Sequence, residues 1–212
     1  RQDWCSGSVG MMGKSWGGFN CLQTAFLQPP ALKAVISVYS TTDRFADDIH
    51  FKGGALLGEN FGWGSVMLSY SSRPGDPLLH NGWREEWLRR LEAEPFHAPG
   101  WAAHQTRDAY WKHGSICEDW NRMTVPILSF GGWNDNYMNT VAALMQNARG
   151  PVKGIIGPWV HQYPHTAVPG PKIGFLQLAI RWWDRWLKGI ENRAEDDPAF
   201  RAYMLHAQPP NP

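Results

Sequence analysis

A serine with a glycine two residues away on either side could supply a nucleophile. Ser15 lies in the stretch Gly13-Lys14-Ser15-Trp16-Gly17, which fits the pattern G-x-S-x-G. That pattern holds a serine on a tight turn from a strand to a helix, where its hydroxyl is exposed above a sheet. Because small residues suit any tight turn, the alternative is a glycine-rich bend without chemistry.

A serine hydroxyl becomes a nucleophile when a histidine accepts its proton and a carboxylate orients that histidine. On a parallel sheet the three residues follow in the order Ser, Asp or Glu, His, each after a strand. Asp135 in GGWNDNY and His161 in GPWVHQYPH come in that order. We therefore predict Ser15 as nucleophile, Asp135 as the orienting carboxylate and His161 as base. The backbone N–H of Trp16 would then point at the developing oxyanion.

Other interpretations of these positions stay open. Asp135 could cap a helix that begins near Tyr137, and the two duties are compatible. His165 could replace His161 as base, and their spacing also occurs in metal sites, but Pro164 breaks the helix that would align the two rings. The other histidines precede the third predicted strand or lie in the tail: His50, His80, His97, His104, His113 and His206.

Four short apolar segments predict the strands that must hold the candidate residues: 8–12, 32–40, 125–133 and 152–159. One helical pattern follows the first strand and stops at Pro29, and a second runs from Tyr137 to about Gln146. This alternation predicts an α/β fold with a parallel sheet, and it places the three candidate residues at one edge.

The chain divides into four predicted regions. Residues 1–44 and 121–193 form the two parts of the α/β core. Residues 45–120 form a mostly helical cap over the C-terminal edge of the sheet, because a structureless loop of that length is uncommon. The stretch 174–189 has two apolar helical rows, which predicts burial between two bodies. Residues 198–205 alternate like a strand without a partner in the chain, and we interpret the tail, 194–212, as the start of a further domain.

The composition limits the function classes. The 212 residues carry a net charge of +1, which gives no electrostatic reason to expect nucleic acid or an anionic membrane as partner. Three cysteines without metal-site spacing indicate neither a disulfide framework nor a zinc site. No apolar stretch is long enough to span a bilayer. Because the chain lacks an initiator methionine, we expect its true N-terminus, with any targeting signal, to be missing.

Four motifs carry a resemblance to a known family: WCSGSVGMMGKSWGGFN, GGWND, IGPWVH and RWWDRWLKG. They resemble the cocaine esterase and X-Pro dipeptidyl-peptidase family of serine hydrolases, with α-amino-acid ester hydrolases and glutaryl acylases among its relatives. The resemblance implies an α/β-hydrolase domain, a helical cap and a C-terminal β-sandwich (jelly roll), and the nucleophile, orienting and base positions for Ser15, Asp135 and His161. The family's second oxyanion donor, a tyrosine hydroxyl before the elbow, has no match here.

The stretch FADDIHFKGG, residues 45–54, resembles the start of the cap in the amino-ester hydrolases. In those enzymes a carboxylate cluster holds the ammonium group of the substrate, and Asp47 and Asp48 could serve that end. The interpretation that we favour is that two aspartates at the start of a helix complement its dipole.

These observations predict a serine hydrolase that cleaves an ester or amide bond by acyl transfer, without cofactor or metal. The expected partner is a small-molecule ester, an amide or a short peptide, with no nucleic acid and no membrane; a homo-oligomer stays open. One alternative within enzymes is an X-Pro dipeptidyl-peptidase or acylase. The alternative from another class is a non-catalytic fragment or binding module that keeps the fold.

Overall fold

Five parallel strands form the main sheet of the computed structural model, which describes residues 2–206. In chain order the strands are β1 (Val9–Lys14), β2 (Leu32–Val38), β3 (Phe51–Lys52), β4 (Ala55–Leu56), β5 (Ile127–Gly132), β6 (Val152–Gly157) and β7 (Phe200–Ala202). The main sheet has the order β1-β2-β5-β6-β7, and β3 and β4 form a separate hairpin. The predicted α/β fold is confirmed, and each of the four predicted strands is present.

Helices cover both faces of the main sheet. In chain order the helices are α1 (Trp16–Phe26), α2 (Glu59–Ser71), α3 (Trp83–Ala93), α4 (His97–Ala103), α5 (Ala109–Lys112), α6 (Thr140–Asn147) and α7 (Phe175–Lys188), and those on the sheet are α1, α6 and α7. On one face, α7 packs in a cluster with alternate residues of the central strands: Ala34, Ile36, Val38, Leu128 and Phe130. On the other face, α1 and α6 pack with Leu32, Val35 and Ile127. Burial on both faces is why these strands are continuous apolar runs.

The helix predicted at 174–189 is present as α7, which ends at Gly189 in the left-handed conformation. One of its two apolar rows is buried against the sheet, as Trp182 shows with an exposure of 3%. The first half of the other row faces solvent within residues 2–206, since Leu176 is 50% and Ile180 is 59% exposed, whereas Trp183 packs against the core. Burial of this second row against a further body stays a prediction, because nothing in the described part of the chain covers Leu176 and Ile180.

The tail begins differently from the prediction for residues 194–212. After a 3₁₀ turn at Ala194–Asp196, the strand β7 pairs in parallel with β6, with Phe200 opposite Gly154. The prediction that this strand has no partner in the chain is wrong, because it extends the main sheet beside β6. Residues 207–212 lie outside the described residues, and a β-sandwich that starts in this tail stays a prediction.

The segment between β2 and β5 lies outside the main sheet, and its two ends lie next to each other. It contains α2 to α5, as the prediction of a mostly helical 45–120 expects, together with the β3–β4 hairpin, which was not predicted. Its two ends are joined by main-chain bonds: the Cys117 N–H donates to the Thr42 carbonyl at 3.1 Å, and the Arg44 N–H donates to Ser115 Oγ at 2.9 Å. We call these four residues the neck of the cap.

The turn from β1 to α1 brings the two backbones into contact. A Cβ atom on Gly13 would lie 2.3 Å from the carbonyl carbon of Gly17, whereas one on Gly17 would meet nothing within 4 Å. Between them, Ser15 has φ 59° and ψ −128°, a conformation that residues with a side chain rarely adopt. The close approach of the two backbones therefore requires glycine at position 13 and not at position 17.

We expect Gly13→Ala to lower the free energy of unfolding by about 3 kcal/mol, because the new methyl group overlaps backbone that cannot move aside. Gly17→Ala is the matched control: it has open space within α1, and we expect it to be neutral or to stabilise by up to about 1 kcal/mol. The measurement is the urea unfolding midpoint of each variant. Equal unfolding midpoints for the two variants would contradict the close approach of the Gly13 and Gly17 backbones.

Candidate active site

The three residues predicted to do chemistry lie around one cavity. Ser15 follows β1, Asp135 follows β5 and His161 follows β6, so all three leave the C-terminal edge of the parallel sheet. The cavity has a volume of about 770 Å³ and is lined by these three residues and by residues of the cap. The structure therefore brings together the three side chains that the order of the motifs predicted to be neighbours.

Ser15 is held at the strained turn by main-chain bonds on both sides. Its N–H donates to the Val38 carbonyl at 2.9 Å, and its carbonyl accepts from the Phe19 N–H at 3.0 Å. Trp16 is the first residue of α1, so its N–H has no acceptor within that helix and is free for an external oxygen. The Trp16 ring is 53% exposed and makes an edge contact with Trp63 of the cap at 5.8 Å.

Asp135 is bonded to His161 through one carboxylate oxygen. His161 Nδ1 lies 2.5 Å from Asp135 Oδ2, and the aspartate side chain is 1% exposed while that of the histidine is 40% exposed. A carboxylate can only accept, so Nδ1 carries a proton and, in the neutral ring, Nε2 has a free lone pair. The other oxygen, Oδ1, accepts the Tyr137 N–H at 2.8 Å.

Asp135 thus orders a turn and is hydrogen-bonded to His161. The turn is not the start of a helix, however, because α6 begins at Thr140 and not near Tyr137. The His161 ring also contacts two tyrosine rings, with centroid distances of 5.5 Å to Tyr39 and 5.8 Å to Tyr137. Tyr39 directly follows β2 in sequence, and no motif pointed to it.

His165, the alternative base, lies elsewhere. Its ring stacks on Phe175 with a centroid distance of 5.5 Å and an interplanar angle of 9°, and its Nδ1 is buried without a partner. Of the two histidines in this loop, His161 is therefore the one that is hydrogen-bonded to Asp135. Within residues 2–206, no group of three or more His, Cys, Asp or Glu side chains could hold a metal ion, and no helix is long and apolar enough to cross a membrane.

The two aspartates at the start of the cap have different surroundings. Asp48 lines the cavity and is 3% exposed; it accepts hydrogen bonds from the Ile49 N–H at 2.7 Å and from the Tyr137 hydroxyl at 3.1 Å. Burial raises the pKa of Asp48 to about 6, although these two bonds oppose the shift. Asp48 is thus a carboxyl group inside the cavity that is charged above about pH 6.

Asp47 does not line the cavity. It accepts from Asn139 Nδ2 at 3.0 Å and forms an ion pair with Lys52 at 3.4 Å. Its main chain bridges to Lys52, and the next regular element is β3, so neither Asp47 nor Asp48 begins a helix. The favoured interpretation of a helix-dipole pair is therefore wrong.

His50 is a cavity residue to which the sequence analysis gave no role. It is 5% exposed, and burial lowers the pKa of His50 to about 4, so the ring is neutral near pH 7. Asn60 Nδ2 donates to the carbonyls of His50 and Leu57 at 2.7 and 3.1 Å, which leaves Asn60 Oδ1 to accept from His50 Nδ1 at 2.8 Å. No spacing in the sequence predicts this pair.

Residues 1–163 match the family model described as X-Pro dipeptidyl-peptidase (S15 family). The chain belongs to this S15 family. The matched range contains Ser15, Asp135 and His161, and it confirms the resemblance that the four motifs indicated.

One curated relative and two solved structures are similar to most of this chain. It is 26% identical over 240 residues to the cocaine esterase of Rhodococcus sp. (strain MB1 Bresler), covering 97% of this chain and 42% of that protein. A CocE/NonD family hydrolase from Staphylococcus aureus has a TM-score of 0.70 at 18% identity, covering 95% of this chain and 33% of that chain. An α-amino acid ester hydrolase has a TM-score of 0.59 at 20% identity, covering 92% and 37%.

The similarity to these solved structures confirms the α/β-hydrolase fold of this chain. The chain spans less than half the length of the relatives that it matches.

Proposed function

We propose that the full-length protein is a serine hydrolase that cleaves an ester or amide bond through an acyl-enzyme intermediate. The observation that carries the proposal is the bond from His161 to the buried Asp135, at a cavity that Ser15 also lines at the C-terminal edge of the sheet. Membership in the S15 family supports it.

In the first step, Ser15 Oγ attacks the substrate carbonyl carbon while its proton passes to His161 Nε2. Asp135 keeps the proton of His161 on Nδ1 and stabilises the imidazolium that forms. The N–H of Trp16 donates to the oxyanion as charge develops on the substrate oxygen.

In the second step, the tetrahedral intermediate collapses and the C–O or C–N bond to the leaving group breaks. The leaving group takes the proton from His161 Nε2, and an ester of Ser15 remains. Water then attacks that ester and gives its proton to His161. Ser15 leaves with this proton, so the protein returns to its starting state without a cofactor.

The cavity walls favour a substrate with an apolar group. Five Trp, Phe and Tyr residues line it: Trp16, Phe19, Trp63, Trp101 and Tyr137. A volume of about 770 Å³ lies within the range of small-molecule sites. We therefore propose a small-molecule ester, an amide or a short peptide as substrate.

A second candidate is an X-Pro dipeptidyl-peptidase or an acylase that recognises a free amine. Asp48 favours it, because a buried carboxylate in the cavity attracts an ammonium group strongly. The alternative without chemistry is a binding module that keeps the fold and this cavity.

A fluorophosphonate probe, together with substrates that have or lack a free amine, separates these candidates in the full-length protein. We expect covalent labelling on the peptide that contains Ser15, and turnover of p-nitrophenyl esters. Ester turnover that does not depend on a free amine supports an esterase, whereas faster cleavage of an X-Pro anilide with a free N-terminus than of its N-acetylated form supports the second candidate. Absence of both labelling and turnover would contradict the proposal and leave the binding module.

A further inference from the structure

A lysine from the elbow strand contacts the loop that carries His161. Lys14 is the last residue of β1, and its Nζ donates a hydrogen bond to the His161 carbonyl oxygen at 3.2 Å. The same ammonium lies 5.5 Å from the centre of the Tyr163 ring, two residues further along the loop. The contact joins segments that are 147 residues apart in sequence.

The loop that carries His161 has no regular secondary structure. It runs between β6 and α7, and an internal bond joins the Val160 N–H to the Val168 carbonyl at 2.8 Å. Within residues 2–206, Lys14 gives the only hydrogen bond to the main chain of His161. Asp135 thus fixes the rotation of the imidazole ring, and Lys14 fixes the main chain from which the ring projects.

We infer that Lys14 is a positioning residue that sets the distance between the nucleophile Ser15 and the base His161; the inference rests on the proposed function. Lys14 and Ser15 are adjacent, so their Cα atoms are about 3.8 Å apart. The bond from Lys14 to the His161 carbonyl therefore couples the main chain of the base to that of the nucleophile. Lys14 does not line the cavity formed by the described residues, so it acts through His161.

The size of the effect follows from the sensitivity of proton transfer to geometry. His161 Nε2 must reach the Ser15 hydroxyl in the transition state, and a displacement of about 1 Å costs about 100-fold in rate. A charge-assisted bond to a carbonyl is among the stronger ways to hold a loop. Lys14 itself does not line the cavity, so we expect its loss to act on proton transfer more than on substrate binding.

The test compares Lys14→Met with Lys14→Arg in the full-length protein. Methionine keeps an apolar stem and removes the donor, so we expect kcat for a p-nitrophenyl ester to fall about 10- to 100-fold with KM within about twofold. Arginine keeps a cationic donor, and we expect it to retain kcat within about threefold. The rate of fluorophosphonate labelling should fall with kcat in Lys14→Met.

Lys33→Met is the matched control. Lys33 Nζ also donates to a main-chain carbonyl, that of Pro30 at 2.8 Å, but on the surface at the start of β2. This variant makes the same chemical change away from the cavity, and we expect kcat and KM to be unchanged. If Lys14→Met does not fold by circular dichroism, Lys14→Gln carries the same expectation because its side chain is too short to keep the bond.

Three outcomes would overturn the inference. Wild-type kcat in Lys14→Met would show that the bond does not position His161, and equal loss in Lys14→Met and Lys14→Arg would assign Lys14 to the proton transfer itself. Ser15→Ala separates these results from the proposed function. If Ser15→Ala is inactive and Lys14→Met is fully active, only the positioning role fails, whereas an active Ser15→Ala overturns both.

Discussion

Ser15→Ala is expected to reduce ester hydrolysis by about 10⁴- to 10⁶-fold, because no other side chain replaces the nucleophile of a triad. The fold should persist, since the turn at Ser15 is held by main-chain bonds to Val38 and Phe19 that alanine also makes. The measurements are kcat for a p-nitrophenyl ester, covalent labelling by a fluorophosphonate, and the unfolding midpoint of the full-length protein.

Ser69→Ala is the matched control for this substitution. Ser69 is exposed on α2, where alanine suits the helix, so we expect wild-type activity and stability. Residual turnover above a tenth of the wild-type rate in Ser15→Ala would mean that another group is the nucleophile. The motif would then be only a glycine-rich turn.

Asp135→Asn is expected to lower kcat by about 10⁴-fold, the loss seen when this change is made in the triad of a serine protease. The reason is the tautomer of His161. The Tyr137 N–H holds the amide oxygen of the new asparagine, as it holds Asp135 Oδ1 at 2.8 Å, so the NH₂ group faces His161. His161 Nδ1 must then accept a hydrogen bond, and the proton moves to Nε2, the atom that should take the proton of Ser15.

Asp119→Asn makes the same chemical change outside the cavity. Asp119 Oδ1 accepts the Asn121 N–H at 3.1 Å at the start of a 3₁₀ turn, and an asparagine oxygen can accept the same bond. We expect wild-type kcat for this control. If Asp135→Asn also retained more than a tenth of the wild-type rate, the carboxylate would not be needed to orient the base.

The strands and the relative places of the candidate residues could be predicted because each depends on local sequence. A strand that is buried on both faces has a continuous apolar sequence, so an apolar run such as 32–40 predicts a strand without information from other segments. In parallel strands the residues after each C-terminal end lie at one edge, so the order of Ser15, Asp135 and His161 was enough to place them together. The family match to residues 1–163 includes all three of these positions.

The parts that were predicted wrongly depend on contacts between distant segments. The strand in the tail gave no sign of its partner, since its pairing with β6 needs the register that joins Phe200 to Gly154. The aspartates at the start of the cap resembled a helix start, but the next element is β3, and Asp48 is buried and accepts a hydrogen bond from the Tyr137 hydroxyl. The contact of Lys14 with His161 likewise joins two segments that no local pattern relates.

The neck of the cap has a consequence for how substrate range can change in this family. Cys117 is bonded to Thr42, and Arg44 is bonded to Ser115, so the two ends of the cap are held together. The length of the segment between these ends therefore does not affect the geometry of the sheet. Doubling a flexible loop costs only about 0.6 kcal/mol in closure entropy. Insertions, deletions or exchange of the whole cap at the neck would therefore change the cavity wall while Ser15, Asp135 and His161 keep their spacing.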